Sequence, residues 1–260
     1  MKKIKLTCAH AIVKYLIAQK ILIDGKKEQL FAGAFGIFGH GNVACLGQAL
    51  EENKVKLPTY RGHHEQNMAL TGIAYSRAKR RKQIFVATSS TGPGSTNMVT
   101  AAAVAMSNRI PILFLPGDTY ANRMPDPVLQ QVEHFNNPGI TQNDSFKPVT
   151  KYFDRLTRPE QILQTLPQAI QLMLDPADCG PACISMSQDV QGEVFEYPEE
   201  FFKEAVHNIR RPRPDDFQIK QAAEKIKSSK NPIIISGGGV FYSDAMEDIA
   251  NFAEKHNIPV

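Results

Sequence analysis

No run of about 18 apolar residues occurs in the 260-residue sequence, so no stretch reads as a membrane-crossing helix. The first residues lack an uninterrupted apolar core with a small-residue cleavage site, and no signal peptide is expected. Charge of one sign is also missing. The net value is only +4, with acids and bases mixed along the chain, which argues against a nucleic-acid-binding surface. The single dense basic run, Lys79-Arg80-Arg81-Lys82, closes an expected helix, where the macrodipole favours cations. Cysteines are few: Cys8, Cys45, Cys179 and Cys183. Only the last two are close, and Cys-Gly-Pro-Ala-Cys has neither zinc nor thioredoxin spacing. They read as buried reduced thiols of a cytoplasmic protein. His40, His63 and His64 do not fall at metal-ligand spacing, so no metal is assigned to these residues. The chain has no P-loop lysine after a glycine-rich turn, no full Gly-x-Gly-x-x-Gly fingerprint and no Gly-x-Ser-x-Gly elbow.

What is there is an ordinary globular composition, 42% hydrophobic and 22% charged, which excludes a disordered chain. The length allows one large domain, or one domain and part of another. Thr7 is placed to cap a first helix whose apolar face is Ile12, Val13, Leu16 and Ile17. Strands are expected over 30–38, 57–60, 83–88, 110–115 and 181–186, with helices between them over 43–52, 65–80, 98–106 and 159–174. Pro116-Gly117-Asp118 is expected to end the fourth strand. Short loops joining alternating strands and helices indicate an α/β fold with a parallel sheet flanked by helices. Residues 119–149, broken by Pro125, Pro127 and Pro138, read as one long loop, a kind that usually carries function or covers an interface. The Pro-, Glu- and Arg-rich stretch 192–215 reads as a linker. Beyond it a helix over 216–227, a strand over 232–235 and a helix over 243–256 are expected, too little to bury a core alone.

Two polar segments stand out at expected sheet ends. One is Tyr60-Arg61-Gly62-His63-His64-Glu65-Gln66-Asn67, the other Thr88-Ser89-Ser90-Thr91-Gly92-Pro93-Gly94-Ser95-Thr96-Asn97. We expect them to face each other across the C-terminal edge of one sheet. Glu65 at a helix start is either plain dipole stabilisation or a catalytic carboxylate. Thr91-Gly92-Pro93-Gly94 is either a turn with a cap or a contact for an anion or cofactor.

With those residues in view, the chain resembles the N-terminal part of the thiamine-diphosphate-dependent enzymes of the acetolactate-synthase type. The block Gly62-His63-His64-Glu65-Gln66 is similar to the one carrying that family's glutamate. Thr88 to Asn97, Asp189-Val190-Gln191 and Asn231 to Gly239 are similar to later family segments. Finer likenesses are Phe35-Gly36-Ile37-Phe38-Gly39-His40-Gly41-Asn42-Val43, Leu115 to Ala121, Pro125 to Gln131, and Ser187 to Pro198. They resemble the branch that opens a cyclic diketone ring by carbon–carbon hydrolysis in myo-inositol catabolism, releasing 5-deoxy-glucuronate.

The resemblance implies a pyrimidine-binding domain over 1–191, a linker over 192–215 and the truncated start of a central domain over 216–260. It implies thiamine diphosphate as cofactor, bound by Glu65, Gly92, Pro93, Gly94 and Asn97. Glu65 is then the catalytic residue, pairing with the aminopyrimidine ring and substantially buried. His40, Asn42, His64 and Gln66 are implied as substrate contacts, although His64, like His63, also suits helix-entry packing. The Gly-Asp-Gly motif that would hold Mg²⁺ and the diphosphate is absent here, so those ligands are expected in a missing diphosphate-binding domain. The chain alone is expected to be inactive. The intact enzyme is expected to be at least a homodimer with a small-molecule cyclic diketone substrate, and no membrane or nucleic-acid partner. The rivals are an acetolactate-synthase-like lyase or carboligase acting on 2-oxo acids, and a non-catalytic truncated remnant.

Overall fold

In the computed structural model, residues 2–124 and 128–260 are described; Pro125, Asp126 and Pro127, part of the long-loop expectation, lie outside the described residues. The chain forms two compact units, Met1–Ile209 and Arg210–Val260.

In the first unit the strands are, in chain order, β1 (Lys3–Thr7), β2 (Gln19–Ile23), β3 (Lys26–Gln29), β4 (Phe31–Ile37), β5 (Thr59–Arg61) and β6 (Ile84–Ser89). There follow β7 (Leu113–Phe114), β8 (Gly117–Asp118), β9 (Tyr152–Leu156), β10 (Ala182–Ser187), β11 (Val194–Pro198) and β12 (Ala205–His207). Among the described residues seven of these, β4 to β10, make one parallel sheet. β4 lies between β5 and β6, β7 joins β6 to β10, and β9 covers the far side of β10. Pro116 does not end the fourth strand as expected. β7 and β8 pair with β10 in one continuous register, Leu113 with Ala182 and Gly117 with Met186. A proline has no N–H for the ladder, so it breaks the assignment without diverting the chain.

The strands alternate with period two between two buried faces. Ile84, Val86, Leu113, Leu115, Ile184 and Met186 join the main core with helices Cys8–Ala18 and Ile162–Met173. Phe85 and Ile112 point the other way, against helix Glu65–Ala78, where Gly72 lets the helix backbone approach both. Each fully buried Leu or Ile is worth about 1.5–3 kcal/mol, so the two-sided cover is what makes the sheet stable. Helix Val99–Asn108 packs on Glu65–Ala78 through buried Ala101, Ala102 and Ala105, whose small side chains allow close approach. Thr7 caps the first helix as expected, its side chain accepting from the His10 N–H.

The expected linker is much shorter than 192–215. β11 pairs antiparallel with β1, β12 pairs parallel with β2, and Tyr197 is fully buried with its hydroxyl donating to the Pro159 carbonyl at 3.1 Å. Residues 192–209 thus belong to the first unit. Their Glu and Pro content resembles a linker, but their partners lie at the opposite end of the chain, which local pattern cannot reveal. The described residues of the long loop, 119–124 and 128–140, form no helix or strand before Thr141, whose side chain and Asp144 form a capping box that starts the 3-10 turn Gln142–Val149.

The second unit holds helices Asp216–Ser228, Gly238–Tyr242 and Met246–His256. The strand expected over 232–235 is not formed. Ile234 donates one backbone bond to Pro259 at 2.9 Å, while Ile233 and Ile235 are exposed. A strand needs a paired neighbour along its length, and among the described residues this segment has none.

Candidate active site

Because β5, β4 and β6 are adjacent and parallel, the chain leaves all three at the same sheet edge. Past β5 the segment turns through Gly62 and His63 into helix Glu65–Ala78. His64 is the helix cap, with its ring Nδ1 accepting from the Asn67 N–H at 3.4 Å. That capping fixes Glu65 as the first helical residue, half-buried and aimed along the edge.

Past β6, the chain turns at Gly92, with φ +69° and ψ −131°, into the single turn Pro93–Thr96. Asn97 follows, and its Nδ2 donates to Glu65 Oε2 at 2.7 Å. The two polar segments therefore do meet. The second carboxylate oxygen, Oε1, lies 3.4 Å from where a side chain on Gly94 would begin. The missing Cβ leaves that oxygen open to a hollow of about 620 Å³. Glu65, Pro93, Gly94 and Asn97 line it, together with Ile37, Gly39, Ser90 and Thr96.

The ninth lining residue, Gln130, was not foreseen. It comes from the long loop, which has no periodicity to expose it. The loop rests directly on the glycine turn: a Cβ at Gly92 would lie 1.7 Å from the Gln130 carbonyl oxygen. Gly92→Ala therefore requires both an unfavourable backbone region and displacement of the loop. We expect it to cost about 3 kcal/mol or more, read from the urea midpoint. A midpoint unchanged from wild type would show that residues 128–131 are not seated there.

The other expected contacts are placed differently. Asn42 is buried, and its Nδ2 donates to Thr88 Oγ1 and to the Ser89 carbonyl, both at 2.8 Å, which ties the turn after β4 to β6. His64 is exposed and occupied as a cap. Gln66 is not among the residues that line the hollow. His40 sits beside Gly39 on the rim; its carbonyl accepts from Gln188 Nε2 at 3.1 Å, and its buried Nε2 has no partner among the described residues.

A polar network supports the hollow from below, and its members gave no sequence signal beyond Asp118 at a strand end. Asp118 is fully buried. Its Oδ2 accepts from Arg155 Nε at 2.8 Å and from the Ser185 hydroxyl, and its Oδ1 from the Thr119 N–H at 2.8 Å. Gln142 Nε2 donates to Asp118 Oδ1 at 3.3 Å and to Thr91 Oγ1 at 2.9 Å, so the network reaches the residue before Gly92. Arg155 also pairs with Asp144 at 3.0 Å. Burial alone would make Arg155 easier to deprotonate, but Asp118 and Asp144 outweigh it and hold its pKa above the usual value. Asp189 fixes the far end of the edge, accepting from the N–H groups of Ala121 at 2.9 Å and Asn122 at 3.1 Å.

A smaller hollow of about 150 Å³ lies within the long loop, among Tyr120, Arg123, Glu133 and His134, and does not include Glu65. The cysteines are unpaired, and burial pushes the Cys8 and Cys179 thiols up to about 12, far from reactive thiolates. Among the described residues there is no metal-competent group of three or more His, Cys, Asp or Glu, and no helix is long and apolar enough to cross a membrane.

Known proteins resemble this chain in sequence and in fold. Residues 18–137 match the family described as thiamine pyrophosphate enzyme, N-terminal TPP binding domain, and residues 219–260 match the thiamine pyrophosphate enzyme central domain. The 3D-(3,5/4)-trihydroxycyclohexane-1,2-dione hydrolase of Clostridium tetani is 52% identical over 259 residues, covering all of this chain and 40% of the relative. Its counterpart from Bacillus subtilis is 49% identical over 259 residues, covering all of this chain and 41% of the relative. This chain thus spans about 40% of the length of these curated relatives and matches their N-terminal part. In fold it is similar to the thiamine diphosphate-dependent 4-hydroxybenzoylformate decarboxylase of Rhodococcus jostii RHA1. The TM-score is 0.77 at 21% identity, over 98% of this chain and 44% of that one. With a glutamate held at the shared edge of such a sheet and both domain signatures in order, the chain belongs to the thiamine pyrophosphate enzyme family.

Proposed function

We propose that this chain forms the pyrimidine side of the active site of a thiamine-diphosphate-dependent hydrolase that opens the ring of 3D-(3,5/4)-trihydroxycyclohexane-1,2-dione to 5-deoxy-glucuronate. The observation that carries the reading is the identity of about half over the entire chain with relatives of that name, loops included.

The hollow fits the cofactor on its own geometry. An aminopyrimidine that meets the protein through one of its two ring nitrogens needs one free carboxyl oxygen beside an open wall. Glu65 Oε1 is such an oxygen, and the side chain absent from Gly94 provides the opening. Pro93 and Gly94 line the hollow after the Gly92 turn, and Gly94 has no side chain to fill it. When bound, thiamine diphosphate supplies a nucleophilic carbon and an electron sink for carbon–carbon cleavage.

In this reading Glu65 holds or shares a proton at its Oε1, hydrogen-bonded to the pyrimidine ring, and burial by the cofactor strengthens that bond by excluding water. Asn97 keeps the other oxygen occupied. Of the proposed substrate contacts, His40 adjoins the lining residue Gly39, and its Nε2, buried and unpartnered among the described residues, would have to turn outward to meet a ligand. Asn42 acts by holding that turn to β6, whereas His64 and Gln66 contribute through the helix start. The domain reading follows with it: a pyrimidine-binding domain, a short connector and central-domain sequence. Mg²⁺ and the diphosphate are held by residues outside this chain. The intact enzyme works as a cytoplasmic homo-oligomer in which a second subunit completes the site.

A chimera tests this. The chain is joined to the remaining C-terminal portion of the Clostridium tetani relative and assayed with the cyclic dione and with pyruvate, thiamine diphosphate and Mg²⁺ present. Ring opening of the dione with pyruvate untouched is the expected result. Consumption of pyruvate would move the reading to a lyase or carboligase acting on 2-oxo acids, and a folded but inert chimera would favour a non-catalytic role.

A further inference from the structure

We infer that Asn97 is the positioning residue for Glu65, acting on the carboxylate rather than on the ligand. The inference rests on the reading of the hollow as the aminopyrimidine site and assigns the one protein contact that orients its acid.

Four observations carry it. The Asn97 Nδ2 to Glu65 Oε2 distance is 2.7 Å, the short range of a hydrogen bond to an ionised acceptor. Among the described residues no other side chain is bonded to the Glu65 carboxylate. Asn97 is itself fixed, since its N–H donates to the Pro93 carbonyl at 3.1 Å and closes the turn after Gly92. The two residues are 32 apart in sequence, so the contact exists only because β5 and β6 flank β4.

The consequence is an asymmetric carboxylate. Its Oε2 is engaged by the Asn97 Nδ2 donor, and Oε1 lies beside Gly94 and the hollow. Free rotation about the last side-chain bond would present either oxygen, and a ring nitrogen would have to order it on binding. With Asn97 in place that ordering is already done. Of the residues lining the hollow, Glu65 is the only titratable one, so the pair is not shared with another acid or base there. His64, which caps the same helix, is turned to the Asn67 N–H.

Asn97→Asp is the discriminating variant, because it keeps the shape and removes the donor. A carboxyl group in that place can donate only while it carries a proton, which a neighbouring carboxylate makes it retain to higher pH. Thiamine, which has the pyrimidine ring but no diphosphate, is titrated into wild-type chain and N97D by calorimetry. We expect N97D to bind about tenfold or more weakly than wild type near pH 8. Near pH 5 we expect the two to differ by less than about threefold. A ratio that is flat with pH would reduce Asn97 to a packing role and overturn the inference.

A second measurement needs no ligand. The side-chain amide of Asn97 in the wild-type nitrogen–proton spectrum should be shifted and slow to exchange, and Glu65→Ala should abolish both features. An amide indifferent to Glu65→Ala also overturns the inference. If thiamine binds neither protein, the half-site alone does not hold the ring, and the amide signature by itself decides the positioning.

Discussion

Glu65→Gln, placed in the chimeric enzyme, is expected to lower turnover of the cyclic dione by about 10²- to 10⁴-fold, the range for loss of a group that handles a proton in the reaction. The reason is local. A glutamine at position 65 keeps a carbonyl oxygen for Asn97 Nδ2, so the contact seen at 2.7 Å survives. Its amide nitrogen then stands where Oε1 faced the hollow beside Gly94. The amide can still hydrogen-bond to the ring but cannot give up or take back the proton that the carboxyl shares with it, and nothing else changes shape. Fold stability should stay within about 1 kcal/mol of wild type, because no buried partner is orphaned. Steady-state kinetics and a urea titration on the same samples separate the two effects. Turnover within a factor of three of wild type would remove Glu65 from the reaction.

Arg155→Ala is expected to destabilise the first unit by about 3–5 kcal/mol, the usual result of breaking a buried ion pair from one side. Asp118 would keep its burial and lose the guanidinium at 2.8 Å. Its remaining donors, the Thr119 N–H, Gln142 and Ser185, are neutral and do not balance a charge. Replacing both partners by Asp118→Asn with Arg155→Met should recover part of the loss, since no unpaired charge is then left inside. Urea midpoints of the single and double variants test this. A loss below about 1 kcal/mol for Arg155→Ala would show that water reaches Asp118 and compensates.

The same network gives stability an acid limb. Burial alone would raise the Asp144 carboxyl, but Lys147, the Thr141 N–H and Arg155 together hold it below its usual value. A carboxyl lowered in the folded state stabilises the fold above the usual carboxylate range and loses that contribution as the pH falls through its lowered value. Part of the drop in midpoint between about pH 5 and pH 2 should therefore vanish in Asp144→Asn.

Pattern reading found the elements whose cause is local. Thr7 reads as a cap because a hydroxyl before an apolar-faced helix can accept a free N–H, and it does so from His10. The strand over Ile84–Ser89 reads from its β-branched and aromatic content, and Glu65 from its place at a helix start. β11 and β12 read as linker because their partners, β1 and β2, lie near the chain start, and no window spans that distance. Gln130 lies in a stretch with no period, so only the close approach of the long loop to Gly92 brings it to the hollow.

Residue pattern was enough to place an α/β chain with alternating strands and helices, a carboxylate, Glu65, at a helix start, and a glycine turn after the next strand. Such features follow from periodicity, turn chemistry and motif, all of which act over a few residues. Tertiary structure alone decided that Asn97 holds one oxygen of Glu65 while the other faces an open wall. It likewise set Gln130 over Gly92 and linked Asp118, Arg155 and Gln142 beneath Thr91. Those contacts depend on which strands are neighbours, and strand order is fixed by burying both faces of the sheet at once.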